Sequence, residues 1–440
     1  MVTFKELDPL FGAVLFILLL LAGFYLLSLT RDHKDTLQFQ VKLFCSSFLV
    51  RYIAAIAIYQ FGLVQVLGDE DASGWYNGVT LLKEWEQQRL WVVDLPAELL
   101  NAFDGNHLGY RYLLGTLFYI TDSPGRMPAA VLNCFAGALT VVIAYRIARC
   151  LFPDRVAARV GWFACFFPSM IIWSAQTVKE PIVILLESLA LYGCVRLKIS
   201  GFSLKHAALC AAAIILLLPF RFYAAYLAAA TIAFSLAMPR LRRGKSSLRS
   251  TIGIAAFLVP LVFASGLLAR REAQFSNLGI ERVEKFKGDV TQGTGSGSGV
   301  KQNFNLRNPF EFVLAVGFGG AHLLLAPFPW QLGGASLRMA LTLPELLVWW
   351  YLFFSGVVPG FWFGIRKRFS DIQPLLFFTL GLGLLYSLMF GNIGLIYRQR
   401  AQLLPWLLIF AAVGLELRRR GRLESQRVHM SHPLLASSRR

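Results

Sequence analysis

Three consecutive carboxylates stand out in the run Gly68-Asp69-Glu70-Asp71-Ala72-Ser73-Gly74-Trp75-Tyr76. Like charges this close repel and raise one another's proton affinity, so such a cluster needs water, a cation or a protonated partner. A carboxylate just outside a hydrophobic segment is well placed to act as a general base on a hydroxyl. Asp69 stands nearest that segment, with Asp71 as support and Glu70 and Tyr76 as neighbours that could touch a ligand. Asp69 and Asp71 also offer the oxygen ligands that Mg2+ and Mn2+ favour, so a divalent cation is the one cofactor the run admits. The plain alternative is a solvated acidic loop.

Cations recur at the ends of apolar segments. Lys179-Glu180-Pro181 follows Trp173-Ser174 at a short turn, and Glu187 lies one heptad after Glu180 on about the same helical face. Lys179 could bind a phosphate or an acceptor; a structural pair with Glu180 fits equally well. Arg221, within Pro219-Phe220-Arg221-Phe222-Tyr223, falls at the tip of a hairpin between two apolar runs. Tyr397-Arg398-Gln399-Arg400 precedes the last apolar run. An arginine there can grip phosphate bidentately or reach out to lipid headgroups. His107 and Arg111 open the apolar segment after the acidic loop, as ligands or as interface anchors.

The elements that must position these residues are membrane helices. Of 440 residues, 56% are apolar and 15% charged, where soluble domains run near a quarter charged. Runs such as 10–29, 182–195 and 376–390 approach or reach the roughly 20 residues a helix needs to cross a bilayer, and helices satisfy their backbone inside lipid. The net charge of +18 reflects lysines and arginines collected in cytoplasmic loops against anionic lipid, not a nucleic-acid partner. The six cysteines are scattered through apolar segments without metal-ligand spacing, which argues against a disulfide framework or zinc site. The first apolar run lacks a basic segment before it and reads as a retained span.

Apolar segments are expected near 10–29, 43–66, 108–121, 128–147, 158–174, 181–196, 205–219, 221–238, 251–268, 309–327, 342–364, 373–391 and 402–417. Basic stretches at 146–159, 196–205, 239–250 and 365–371, and the tail from Arg418 with seven arginines and one glutamate, mark the cytoplasmic side. The stretch 68–107, with eight acidic residues against Lys83 and Arg89, marks the other. The simplest way to restore alternation makes 108–121 and 309–327 re-entrant or tilted half-spans, leaving 11 full crossings in a bundle of about 11 to 13 helices, one transmembrane domain over 1–418 followed by a basic cytoplasmic tail at 419–440. Within the external loop 67–107, Trp75, Val79, Leu82 and Trp85 predict an amphipathic helix lying flat in the interface. The loop 269–308, with glycines alternating from Gly293 to Gly299, lacks the Gly-Lys-Ser/Thr of a phosphate cradle and is expected to be a flexible linker.

The order of these motifs resembles the GT-C class of membrane glycosyltransferases. Asp69-Glu70-Asp71 is similar to that class's acidic motif in the first large external loop. His107-Leu108-Gly109-Tyr110-Arg111, Ser123-Pro124-Gly125-Arg126-Met127-Pro128, Ala136–Val141, Arg149-Cys150-Leu151-Phe152 and Phe167-Pro168-Ser169 follow in an order like that of relatives of protein mannosyltransferases and lipid A sugar transferases. The likeness runs over residues 67–200 and returns at Tyr397–Pro405. The acidic loop follows the second span here rather than the first, as an additional N-terminal span would cause. The resemblance implies an all-α bundle and a transferase in a bacterial inner membrane. It would take a sugar from a polyprenyl-phosphate-linked donor to a lipid, glycan or protein acceptor on the extracytoplasmic face. Asp69 and Asp71 would be catalytic; the residues named above would bind substrate.

Two other readings use the same features. A polysaccharide polymerase or ligase also consumes a polyprenyl-linked glycan and also needs external cations. A transporter or flippase would show internal repeats, and none is visible. The orientation itself is testable. In a background without native cysteines, Ser73→Cys should react with an impermeant thiol reagent from outside and Ser247→Cys only after permeabilisation. Outside labelling at position 247 would reverse the scheme.

Overall fold

The computed structural model describes residues 7–30, 34–64, 70–104, 107–238, 304–305, 307–334, 337–389 and 393–431. Asp69, the basic stretch 239–250, the expected span 251–268 and nearly all of the loop 269–308 lie outside the described residues, as do the side chains of Glu70 and Asp71. Every regular element described is helical. In chain order these are α1 (Pro9–Leu29), α2 (Lys34–Gln60), α3 (Glu70–Gln87), α4 (Leu95–Leu100), α5 (Gly109–Thr121), α6 (Arg126–Leu151) and α7 (Asp154–Phe166). Then come α8 (Pro168–Ser174), α9 (Glu180–Ser200), α10 (Leu204–Ala237), α11 (Pro309–Leu325), α12 (Leu337–Leu352), α13 (Val358–Leu388) and α14 (Ile393–Ser431). A short π-helical stretch, Phe353–Val357, joins α12 to α13.

Among the described residues six helices are long and apolar enough to cross a membrane, seven if α7 and α8, bent by 54°, count as one span. The chain is therefore an all-α, multi-pass integral membrane protein. Its centre is α6, α9 and α14, buried on nearly all sides, while α1 presents Leu10, Leu18, Leu21 and Leu29 outward as a lipid-facing helix would. Every 18-residue stretch of α9 holds three charged residues drawn from Glu180, Glu187, Arg196 and Lys198. Such a helix is tolerated because neighbours, not lipid, surround it.

Two continuous helical stretches are hairpins. Residues 204–237 break at Arg221 (φ −156°, ψ 82°), two residues after Pro219, whose ring removes a backbone donor and clashes with the preceding turn. Arg221 meets Glu180 at the first residue of α9, whereas Lys198, near the last, donates to the Ser235 carbonyl at 2.6 Å. Leu204 follows Lys198 by six residues, so α10 climbs the length of α9, turns at Arg221 and returns. Residues 343–388 turn likewise at Arg368 (φ −138°, ψ 23°). A Cβ on Gly364 would lie 2.7 Å from Ile372 Cδ1, a contact that a straight helix of this length forbids. The two legs of each hairpin recover the apolar pairs expected at 205–219 with 221–238 and 342–364 with 373–391.

Other expectations change. The stripe Trp75, Val79, Leu82, Trp85 packs on protein: Trp85 is buried beside Tyr112 and Tyr119 of α5, and Trp75 Nε1 donates to the Pro124 carbonyl with its ring against Arg126. Burial against a protein neighbour satisfies the same apolar face that an interface would. The tail at 419–440 does not begin at a boundary, because α14 continues without a break through Ser431. At 13 residues, or about 20 Å, α5 is too short to cross.

One end of the bundle gathers Arg221, Glu180 and the first turn of α3. The other gathers Lys198, the Arg149–Asp154 pair at 2.9 Å and the Arg159–Glu416 pair at 3.4 Å. Spin labels on Leu204→Cys and Met238→Cys, both exposed positions, measure the first hairpin. Packed legs lie about 8–10 Å apart, whereas a straight helix of 34 residues would separate its ends by about 50 Å. A separation near the larger figure contradicts the hairpin.

Candidate functional site

The turn between α8 and α9 is held by an asparagine. Asn133 of α6 is fully buried, and its Nδ2 lies 2.5 Å from the Gln176 carbonyl, 2.8 Å from that of Val178 and 2.9 Å from Tyr110 Oη. Against this turn lies the start of α3, so close that a Cβ on Gly74 would stand 2.1 Å from the Thr177 carbonyl oxygen. Only glycine permits that approach. The start of α3 is thereby brought alongside the backbone that carries Lys179 and Glu180.

Glu180 is buried, with 1% of its surface exposed. Arg221 Nη2 donates to Glu180 Oε1 at 3.0 Å, and Arg398 Nε stands 3.5 Å from the same oxygen. Arg221 Nη1 donates to Tyr386 Oη at 2.7 Å, and that hydroxyl donates onward to Gln402 Oε1. Tyr223 lies beside the guanidinium, 5.6 Å from ring centroid to Cζ. Glu187, wholly buried and electrostatically coupled to Arg221, has no hydrogen-bond partner for either oxygen among the described residues. Lys179 adjoins the group; burial, then Arg221, push its amine down to about 8, with Glu180 opposing them. His107 sits at the rim in the left-handed region (φ 64°), and its Nδ1–H donates to the Phe220 carbonyl at 2.9 Å.

The other expected residues fall elsewhere. Residues two apart on a helix point about 200° apart, so Arg398 faces Glu180 while Arg400 faces away. Arg400 Nη1 donates to the Ala326 carbonyl at 2.8 Å, and its guanidinium lies 4.8 Å from the Tyr397 ring. Tyr397 Oη donates to Glu345 Oε2 at 2.6 Å, and Ser169 Oγ to Glu345 Oε1 at 2.6 Å. This second network ties α14 to α12 and α8. Arg111 pairs with Glu84 between α5 and α3, and Tyr76 is 64% exposed on α3. Of the twelve candidate residues, Glu180, Arg221 and Arg398 meet, with Lys179 adjacent in the chain, His107 bonded to the Phe220 carbonyl beside Arg221, and the backbone of Glu70 and Asp71 one turn before Gly74.

Sequence reasoning missed Asn133, Tyr386, Gln402 and Glu345. Each is a polar side chain inside an apolar run, and that interruption was the available signal. No group of three or more His, Cys, Asp or Glu suited to a metal occurs among the described residues; Asp69 and the Asp71 side chain are not among them.

Among the described side chains, Arg221 and Arg398 share the Glu180 carboxylate, with Glu187 buried nearby and Lys179 next to Glu180 in the chain. Fold and site together define a polytopic helical membrane protein with a buried, cation-rich centre at one end of its bundle. Neither the models of known protein families nor the curated proteins provide a match for this chain.

Glu180 is the shared counter-charge here, and its removal strands two arginines. Breaking a buried pair costs about 3–5 kcal/mol, whereas losing one hydrogen bond to a charged group costs about 1.5–3 kcal/mol. Glu180→Gln should therefore lower the thermal unfolding temperature in detergent more than Tyr386→Phe. The reverse order would remove Glu180 from the centre of the network.

Proposed function

We propose that this protein is a GT-C-type glycosyltransferase that moves a sugar from a polyprenyl-phosphate-linked donor to an acceptor on the extracytoplasmic face. The observation that carries the reading is the meeting of Arg221 and Arg398 at Glu180, with Lys179 one residue before it in the chain, beside the start of the acidic helix α3. Transfer to an acceptor hydroxyl forms a bond from its oxygen to the anomeric carbon and breaks the bond from that carbon to the donor phosphate. The bonding pair leaves with the phosphate oxygen, so the departing lipid phosphate gains negative charge. Cations fixed in advance in a water-poor site stabilise that charge most effectively. Asp69 takes the proton released by the acceptor, as a general base, with Asp71 in support.

Orientation supports the same side for the chemistry. Arg149, Arg159, Lys198, Arg368 and Arg418 share the end of the bundle opposite Glu180, and basic ends face the cytoplasm. The candidate site then opens extracytoplasmically, within a bundle of 11 to 13 crossings and half-crossings, in a bacterial inner membrane.

The test is transfer of radiolabelled sugar from a polyprenyl-phosphate donor in membranes that supply the acceptor. Asp69→Asn should slow transfer by about 10²–10⁴-fold, the usual contribution of a general base, while donor binding persists. Arg398→Lys keeps charge but loses the planar fork and should also impair turnover at normal expression. Parental rates in both variants would overturn the proposal.

A further inference from the structure

The apolar stripe of α3 is covered by protein, yet three bulky apolar residues just beyond that helix are not. Trp91, Val92 and Val93 are 75%, 69% and 82% exposed. They stand in a shaped turn. Past the end of α3, Arg89 takes the left-handed conformation (φ 53°). The Leu90 N–H donates back to the Trp85 carbonyl at 3.0 Å, and the Arg89 N–H to that of Glu86 at 3.1 Å. This pair of bonds satisfies the last carbonyls of a helix and reverses the chain. Leu90 thereby packs on the buried cluster of Leu81, Trp85 and Leu95, and Tyr119 Oη of α5 donates to the Leu90 carbonyl at 2.6 Å. Val92–Asp94 form one 3-10 turn that leads directly into α4. Both flanks are pinned to protein while the three side chains between them project outward.

The turn lies at the level where the bundle enters lipid. Tyr119, which holds Leu90, is four residues before Ser123, and Ser123 Oγ donates to Asp8 Oδ2 at the start of α1. Asp8 also caps α1, accepting from the Phe11 N–H at 3.2 Å. Leu10, two residues on, is exposed, on the least enclosed of the described spans. About one helical turn of chain therefore separates the anchor of Leu90 from the first lipid-facing residues of α1. A second exposed aromatic stands at the same level. Helix α2 runs back along α1, with Phe44 against Phe24 and Tyr52 against Phe16, and exposed Phe61 directly follows its last residue. Exposed tryptophan and other bulky aromatic rings at the ends of spans mark the membrane–water interface.

We propose that Trp91, Val92 and Val93 dip into the bilayer as a wedge, with Arg89 reaching the headgroup phosphates. The occupant of this patch is lipid because the patch continues, at the same level, the exposed face that α1 already presents to the membrane. No charge interrupts residues 90–93, and Arg89 and Asp94 bracket them, so the apolar stretch can enter lipid while its flanks stay wet. Tryptophan suits that boundary, its ring apolar and its indole N–H able to bond water. The wedge tethers the far end of α3 to the membrane, while Gly74 seats the near end against the Thr177 carbonyl. One end of α3 is thus fixed by protein and the other by lipid. The inference rests on the membrane-spanning bundle alone and is independent of the glycosyltransferase reading.

The experiment reads depth by electron paramagnetic resonance of the full chain in nanodiscs of mixed zwitterionic and anionic phospholipid. Nitroxides are placed singly at Val92→Cys, Leu10→Cys and Lys83→Cys, all exposed positions, in a background without native cysteines. Relaxation by oxygen, which concentrates in lipid, is compared with relaxation by a water-soluble nickel chelate. The label at Val92 should match the one at Leu10, with an oxygen-to-nickel ratio severalfold above that at Lys83. A ratio at Val92 equal to that at Lys83 puts the turn in water and overturns the proposal. Protection of the Val92 label from both reagents, or dipolar broadening between two such labels, assigns the patch to protein contact and overturns it equally. If the cysteine-free background does not fold, quenching of tryptophan emission by brominated lipid decides. It should fall in Trp91→Tyr relative to wild type, and unchanged quenching contradicts the wedge.

Discussion

A single carboxylate oxygen, Glu180 Oε1, is approached by two arginines from distant parts of the chain, Arg221 at 3.0 Å and Arg398 at 3.5 Å. In a helix bundle that excludes water, none of these charges is tolerable alone. Their meeting dictates much of the surrounding geometry. The tip of the α10 hairpin must reach the first residue of α9, and the first turns of α14 must present Arg398, not Arg400, to the same point. Tyr386 Oη then accepts from Arg221 Nη1 and donates to Gln402 Oε1. Charge pairing here sets the register of three helices, a role that apolar packing between smooth helix faces fills poorly.

The turn at 175–179 transmits this arrangement to α3. Asn133 fixes the turn from below through two of its carbonyls, and Gly74 lets α3 approach the Thr177 carbonyl from outside. A residue larger than glycine would push the start of α3 away from the turn. The bend between α7 and α8 brings the chain to this turn, and Arg51 holds that bend. The cation-rich centre, the acidic helix and the capped bend are thus linked through five residues of backbone.

Some of this was legible in the sequence and some was not, for identifiable reasons. The apolar runs follow from hydropathy alone, so the all-α membrane class was readable from composition and pattern. Arg221 at a hairpin tip was readable because Pro219 and a lone charge interrupt an otherwise apolar stretch. The separation of Arg398 from Arg400 required the helical phase of α14 relative to its neighbours, which a sequence does not contain. The stripe on α3 announced an apolar face, but periodicity cannot say whether protein or lipid covers it. Asn133, Tyr386, Gln402 and Glu345 act through partners 16 to 176 residues away, and no local pattern marks such pairings.

The central claim is that the Lys179, Arg221 and Arg398 centre binds the phosphate of a lipid. Its most direct test is a cryo-electron microscopy map of the protein in nanodiscs with added polyprenyl phosphate. The account predicts phosphate density in contact with Arg221 and Arg398, the prenyl chain leading away into the bilayer, and loss of that density in Arg221→Met. Lipid phosphate bound elsewhere, with Glu180 and its two arginines unchanged at saturating ligand, would contradict it.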